Sequence, residues 1–250
     1  QVCYNESATG NITMTAGGGQ QPANYSYTWL SANNASMTGA TVISGANSAS
    51  LNLSTLGPQL GGNDVYIQGQ VTDLSCGTVK TTTNLYQLIT RDQLTVSLPS
   101  APSQEVCYNG TPTGIIILSA GGGSSAANYV YSWLEADNPS MTNAAAISGQ
   151  TSSSFDLSNL GVQQGGPDIY VQARVFDNSC SQTAVSSNVY HIIVNEQLQV
   201  SIPNNTIDVC FGSTPSGTVN ASIQGGAVSP SFTYTWFQAN NSAMTGKTAI

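Results

Sequence analysis

The chain has 250 residues, a net charge of −8 and only 6% charged side chains, with 12 acids set against Lys80, Arg91, Arg174 and Lys247. Four scattered bases make no basic patch, which argues against nucleic acid and anionic membrane as partners. No apolar run approaches the roughly 18 residues of a membrane span, so no membrane insertion is expected within this segment. Gln1 stands beside a cysteine with no basic or apolar leader, so any signal peptide is expected to have been removed or to lie outside this segment.

The segment from Gln1 to Asn84 is written again from Glu105 to Asn188, 104 residues later, and half of it a third time. Cys3 returns as Cys107 and Cys210, Trp29 as Trp133 and Trp236, and Cys76 as Cys180. A period this long is a whole small domain, large enough for one two-layer core. Three divisions follow: residues 1–92, 93–196 and an incomplete 197–250.

The first motif of each repeat is a Gly-ended alternation: Ile12, Met14, Ala16; Ile116, Leu118, Ala120; Val219, Ala221, Ile223. It predicts a half-buried strand, closed by Gly17–Gly19, Gly121–Gly123 and Gly225–Gly226. A phosphate-binding glycine loop would need a helix after it; here another strand follows. That strand alternates Tyr25, Tyr27, Trp29; Tyr129, Tyr131, Trp133; Phe232, Tyr234, Trp236. Its aromatic face reads as core, with tyrosine hydroxyls reaching partners at the edge; the competing reading is an exposed strip for sugar rings. A loop with Met37, Met141 or Met244 follows, where methionine is expected to fill an irregular gap.

Leu51 and Leu53, with Phe155 and Leu157, predict the next inward-facing strand. Val65, Ile67 and Val71, matched by Ile169, Val171 and Val175, predict another, ending at Asp73 and Asp177 in an Asx turn. The closing strand runs through TTTNLYQLIT and SSNVYHIIV. No stretch sustains a helical period, so helix should be scarce and the fold all-β: tandem immunoglobulin-like β-sandwiches. Between repeats, Leu94, Val96, Leu98 and Leu198, Val200, Ile202 alternate again, with Pro99, Pro102 and Pro203 at the exits. The joint is therefore a strand rather than a flexible tether, and it can open the following domain, leaving the first repeat without its opening strand.

Two cysteines per complete repeat predict one disulfide each, Cys3–Cys76 and Cys107–Cys180, with the partner of Cys210 missing. A first strand pairing in parallel with the last would bring those cysteines together, and closing about 74 residues contributes roughly 4 kcal/mol. Disulfides imply an oxidising, extracellular setting. Asn-x-Ser/Thr acceptors for N-glycosylation begin at Asn5, Asn11, Asn24, Asn34, Asn52, Asn109, Asn204, Asn220 and Asn240, roughly twice what chance would place here.

Each repeat runs from CYNE, CYNG or CFGS through YSYTW, YVYSW or FTYTW, and the complete ones close on VTDLSC and VFDNSC. This resembles the immunoglobulin-like repeats of very large bacterial surface adhesins, above all those of gliding Bacteroidota, and is similar to polycystic-kidney-disease-type domains. These repeats exceed that family's usual length by a loop or two, chiefly between Trp and the Leu-rich strand. The resemblance implies an extracellular structural or adhesive repeat protein of the cell surface, part of a stalk, fibre or filament, and carries over no catalytic residue. Its partners are then further repeats of the chain or neighbouring copies.

The alternatives are a glycan-binding accessory module of a secreted enzyme, or a component of an S-layer-like sheath. The glycan reading would need a platform among Tyr4, Tyr86, Tyr108 and Tyr190, facing surface glycans. An enzyme is not expected: His191 is the sole histidine, with Gln87 in its place one repeat earlier, and the pairs Asp64/Asp168 and Asp73/Asp177 recur with the fold period. No cofactor or metal is expected, since neither clustered Cys/His ligands nor an Asp-rich calcium loop is present. The third copy is expected to be completed by more of its own chain, the other option being strands supplied by a neighbour.

Overall fold

The computed structural model describes residues 1–19, 24–99, 103–203, 206–227 and 230–250. It forms two compact units, one from Gln1–Pro102, Ile115–Phe155 and Tyr170–Tyr190, the other from Ser103–Gly114, Asp156–Ile169 and His191–Ile250. The first repeat lies wholly in the first unit, and the second repeat contributes to both.

The first repeat holds β1 (Glu6–Ser7), β2 (Asn11–Thr13), β3 (Tyr25–Ala32), β4 (Thr41–Val42), β5 (Ser50–Asn52), β6 (Pro58–Gln59), β7 (Val65–Asp73), β8 (Thr78–Thr81) and β9 (Tyr86–Leu88). One sheet has the order β4–β3–β7–β8, with β9 also on β7. The opposing layer is made of the pairs β2–β5 and β1–β6. The two aromatic-rich and Val/Ile-rich strands, β3 and β7, run antiparallel over their whole length, Tyr25 opposite Asp73 and Ala32 opposite Tyr66. Alternation turns Trp29 and Ile67 inward, against Met14, Leu51, Leu53 and Leu88 of other segments. This is an immunoglobulin-like sandwich.

The second repeat holds β10 (Thr95–Ser97), β11 (Ser103–Val106), β12 (Ile115–Ile117), β13 (Ser119–Gly121), β14 (Tyr129–Ala136), β15 (Ala145–Ala146), β16 (Ser154–Asp156), β17 (Ile169–Asp177), β18 (Gln182–Val185) and β19 (Tyr190–Val194). The β14–β17 ladder repeats the β3–β7 register, Tyr129 opposite Asp177. Ile116 and Leu118 are buried while Ile115 and Ile117 are exposed, as the alternation predicts. Trp133 is fully buried and stacks on Phe155 at 5.2 Å, and its indole N–H donates to Ser152 O at 3.0 Å. Trp29 is likewise buried, donating to Ser48 O at 2.9 Å. The tyrosine hydroxyls do reach edge partners, Tyr25 to Gly18 O and Tyr129 to Gly122 O.

Helix among the described residues is confined to short 3-10 turns. Leu53–Leu56 and Leu157–Leu160 are capped by Asn52 and Asp156, whose side chains accept the Ser54 and Ser158 N–H groups. The methionine loops depart from the expectation of a plugged gap. Met37, Met141 and Met244 sit at φ of 51–54°, in a left-handed turn, and are half-buried to exposed. What recurs is the turn itself: the carboxamides of Asn34, Asn138 and Asn241 each accept a backbone N–H four residues on, from Thr38, Thr142 and Thr245.

The incomplete third copy holds β20 (Glu196–Ser201), β21 (Ser222–Gly226), β22 (Phe237–Gln238) and β23 (Thr248–Ala249). Here the core expectation fails for Trp236, which is 38% exposed. Residues 197–250 include no counterpart of Leu51, Leu53, Ile67 or Leu88, the residues that close over Trp29. Its local geometry survives: Ile250 N–H donates to Trp236 O at 3.0 Å, as Ile43 does to Trp29 and Ile147 to Trp133.

Candidate joint between the first and second repeats

The matched carboxylates Asp64 and Asp168 each bind the end of the last strand of their repeat. Asp64 accepts Thr90 N–H at 3.1 Å and Gln87 Nε2 at 2.7 Å. Asp168 accepts Val194 N–H at 2.9 Å and meets His191 Nε2 at 2.7 Å. Histidine and glutamine thus do one job in the two repeats, tying the start of the long strand to the end of the last. Burial works against ionisation of Asp168, yet Val194 N–H and His191 hold its carboxyl below the usual range. Among the described residues no group of three or more His, Cys, Asp or Glu is placed to hold a metal.

The joint is where the recurring residues converge. After Thr90 the chain turns at Asp92, whose carboxylate accepts Gly62 N–H of the first repeat at 2.6 Å. The carbonyl of the same residue accepts Gly123 N–H of the second repeat at 2.9 Å. One residue is therefore held from both sides. The chain then enters β10, which pairs antiparallel with β13, Thr95 opposite Gly121 and Ser97 opposite Ser119. Leu94, Val96 and Leu98 are all buried. At the far end Asn188 reads the strand's backbone, accepting Leu98 N–H at 3.2 Å and donating to Leu98 O at 3.1 Å. The linking segment is a strand of the second repeat, as its alternation predicts. β20 pairs with β21 in the same way.

Glycine is required beside this strand. A Cβ on Gly122 would lie 1.9 Å from Gln93 O, and one on Gly225 would lie 2.1 Å from Gln197 O. Both glycines also have positive φ, 78° and 71°. Gly123 is packed against Asp177, the buried hub of this end. Asp177 accepts Ser124 N–H and Oγ, and its Asx turn accepts Ser179 N–H at 2.9 Å and Cys180 N–H at 3.3 Å. Burial raises the cost of its charge, but these donors outweigh it and hold its carboxyl below the usual range. Burial together with the Asp177 charge pushes the neighbouring Tyr129 hydroxyl up.

The disulfide at this joint corrects the sequence expectation. Cys3 is bonded to Cys180, 177 residues away, with Cα atoms 5.6 Å apart, while Cys76, Cys107 and Cys210 are exposed free thiols. Neither Cys3–Cys76 nor Cys107–Cys180 forms. The expected parallel pairing of first and last strands is present, but its register differs. Val2 bridges Thr90, at the finish of the last strand, and β11 runs parallel to β19. Leu88 lies opposite Val65 at the start of β7, whereas Cys76 follows Asp73 at its other end. Eight strand steps, about 26 Å, separate those ends, far beyond the ~7 Å that a disulfide spans. Cys3 instead meets the Asp177 turn of the next repeat, where Gln182 Nε2 also donates to Tyr4 O at 2.8 Å.

The candidate glycosylation sites divide by engagement. Asn5, Asn11, Asn109, Asn220 and Asn240 are exposed. Asn24 is exposed but donates to Ser75 Oγ at 2.8 Å. Asn34 and Asn52 spend their carboxamides on a turn and a helix cap. Asn204 and Pro102 lie outside the described residues. Of the platform tyrosines, Tyr86 and Tyr108 are exposed and Tyr4 and Tyr190 half-buried. The roles of Asp92 and Asn188 are not apparent from the sequence, though both recur with the period, Asp92 as Glu196 and Asn188 as Asn84.

The fold and joint are those of tandem immunoglobulin-like β-sandwich repeats. Residues 2–34 match the SprB repeat, a gliding-motility adhesin repeat. No curated protein matches the chain. Among solved structures, the three N-terminal domains of the bacteriophage RB49 Highly Immunogenic Outer Capsid protein align at 14% identity and a TM-score of 0.39, over 99% of this chain and 76% of that one. The four N-terminal Ig domains of Dscam1 isoform 9.44 align at 11% identity and a TM-score of 0.34, over 77% of this chain and 42% of that one. Fibronectin(III)-like modules of Clostridium thermocellum CbhA align at 16% identity and a TM-score of 0.29, over 77% and 88%. No helix among the described residues is long and apolar enough to cross a membrane.

Proposed function

We propose that the chain is a segment of an extracellular stalk or fibre that transmits tension between the cell surface and whatever the surface protein grips. It acts without catalysis, and its partners are other repeats. The observation that carries this reading is the covalent staple across the joint. With Cys3 bonded to Cys180, tension applied at the two chain ends bypasses the 176 residues between them, because the disulfide is the shorter covalent path. The first sandwich and much of the second are then shielded from stretching. A linking strand that belongs to the next domain's sheet supports the same reading, since it leaves little slack at the joint.

The test is single-molecule stretching between residues 1 and 250. The oxidised chain should release no length from the stapled region. Reduction should add roughly 600 Å of contour, 177 residues at about 3.4 Å each. Release of that length from the oxidised chain would defeat the tension-bearing reading. Sugar binding abolished by changing Tyr86 or Tyr108 would favour a glycan-binding module instead.

A further inference from the structure

The first repeat has a groove where the second repeat has a strand. Its volume is about 440 Å³, and Met14, Gly18, Tyr25, Gly69, Val71 and Asp73 are among its walls. The corresponding positions in the second repeat, 104 residues on, are Leu118, Gly122, Tyr129, Ala173, Val175 and Asp177. There Leu94, Val96 and Leu98 lie buried in and on either side of β10, and Val175 and Asp177 are sealed completely. In the first repeat Val71 is only half-buried. Thr15–Gly17, the counterpart of β13, forms no strand.

The recipient surface is already shaped for an extended chain. Gly18 holds φ of 84°, close to the 78° of Gly122 and the 71° of Gly225. In the second and third copies a Cβ there would strike the carbonyl of the incoming strand, whereas at Gly18 no described residue lies within 4 Å. The Met14 methyl rests over Gly69, so close that a Cβ on Gly69 would lie 2.7 Å from it. Methionine's three rotatable bonds let it repack beneath an incoming strand, and its counterpart beside β10, Leu118, is buried. Asn84 occupies the place of Asn188, and Thr82 Oγ1 donates to Asn84 O as Ser186 Oγ does to Asn188 O. Its exposed carboxamide is set where Asn188 grips the backbone of Leu98.

We propose that this groove is the seat for the linking strand of another repeat of the same type. The occupant is an extended segment with aliphatic side chains at three alternate positions, antiparallel to Thr15–Gly17 and held at its end by Asn84. The chain's own linking strands, Leu94/Val96/Leu98 and Leu198/Val200/Ile202, define that chemistry. Strand addition of this kind takes affinity from main-chain hydrogen bonds and specificity from the pockets under alternate side chains. The proposal rests on the reading of the chain as part of a repeat array.

The probe is a synthetic peptide with the sequence of residues 92–99, Asp-Gln-Leu-Thr-Val-Ser-Leu-Pro, titrated into the oxidised chain. Amide exchange should slow at residues 14–19 and 69–84. A peptide with asparagine at the three aliphatic positions should bind at least about 100-fold more weakly. Asn84→Ala should weaken binding roughly fivefold. Equal binding of the two peptides, or protection only on the face around Val200 and Tyr234, would overturn the proposal. If the free peptide is silent, a copy of residues 92–104 placed directly ahead of Gln1 decides. The native extension should slow exchange at residues 14–19 by at least about tenfold relative to the asparagine-substituted extension, and equal exchange would refute the seat. Mapping Cys3–Cys180 in the same sample separates the two ideas: an intact staple with an unfilled groove sinks this inference alone.

Discussion

Trp133 and Trp236 stand in nearly the same words, Tyr-Val-Tyr-Ser-Trp and Phe-Thr-Tyr-Thr-Trp, and end in different surroundings. Trp133 is sealed against Phe155, while Trp236 is 38% exposed. Both keep the same backbone contact to the isoleucine that follows them. Local sequence therefore shapes the loop and the turn, but burial comes from strands far along the chain. In the second repeat those are the Leu-rich and Val-x-Asp strands. The linking strands teach the same lesson, since Leu94 is buried and Leu198 exposed.

The contrast is sharpened most by removing the tryptophans. Trp133→Ala should cost about 3–5 kcal/mol, from lost burial and the cavity left behind. Trp236→Ala should stay within about 0.5 kcal/mol. Denaturant titration followed by the fluorescence of the remaining tryptophans compares the two, and equal costs would break the comparison. Next come the linking strands. Leu94→Ala should cost about 2–4 kcal/mol, and Leu198→Ala under about 0.5 kcal/mol, by the same titration.

Asp177→Ala leaves the buried Ser124 N–H and the Asx-turn donors without their acceptor, at about 2–3 kcal/mol. The same carboxylate gives a pH signature. Its folded pKa lies below its unfolded value of about 3.9, so its contribution is complete above that value and is lost as pH falls through the folded one. Denaturation midpoints should hold from pH 7 to about pH 5 and drop in more acidic buffer. In Asp177→Ala the drop should be smaller. The smallest effect expected is at the strand's end, where Asn188→Ala removes two hydrogen bonds to Leu98 and should cost about 1 kcal/mol. Asn84→Ala, with no strand to hold, should be close to neutral in the chain alone.

Much of the sandwich was legible because period-two alternation reports which side chains share a face. Trp29, Ile67, Leu51 and Ile116 all fall where alternation puts them. The Asx turns at Asp73 and Asp177 and the linking strand β10 were legible for the same local reason. What was hidden depends on register. The spacing of Cys3 and Cys76 says that cysteines recur with the fold, not which ends of a strand they occupy. That turns on Val2 meeting Thr90 rather than the start of the last strand, a choice made by long-range pairing. Asp92 recurs as Glu196 one period on, but nothing in the sequence says that either acid binds a glycine N–H of the preceding turn.

The bond across the joint is the feature most directly open to test. Non-reducing peptide mapping of the oxidised chain, by mass spectrometry after cleavage between all five cysteines, should recover the Cys3 peptide linked to the Cys180 peptide, with thiols at Cys76, Cys107 and Cys210 open to alkylation. Recovery of Cys3 linked to Cys76 and Cys107 linked to Cys180 would contradict it.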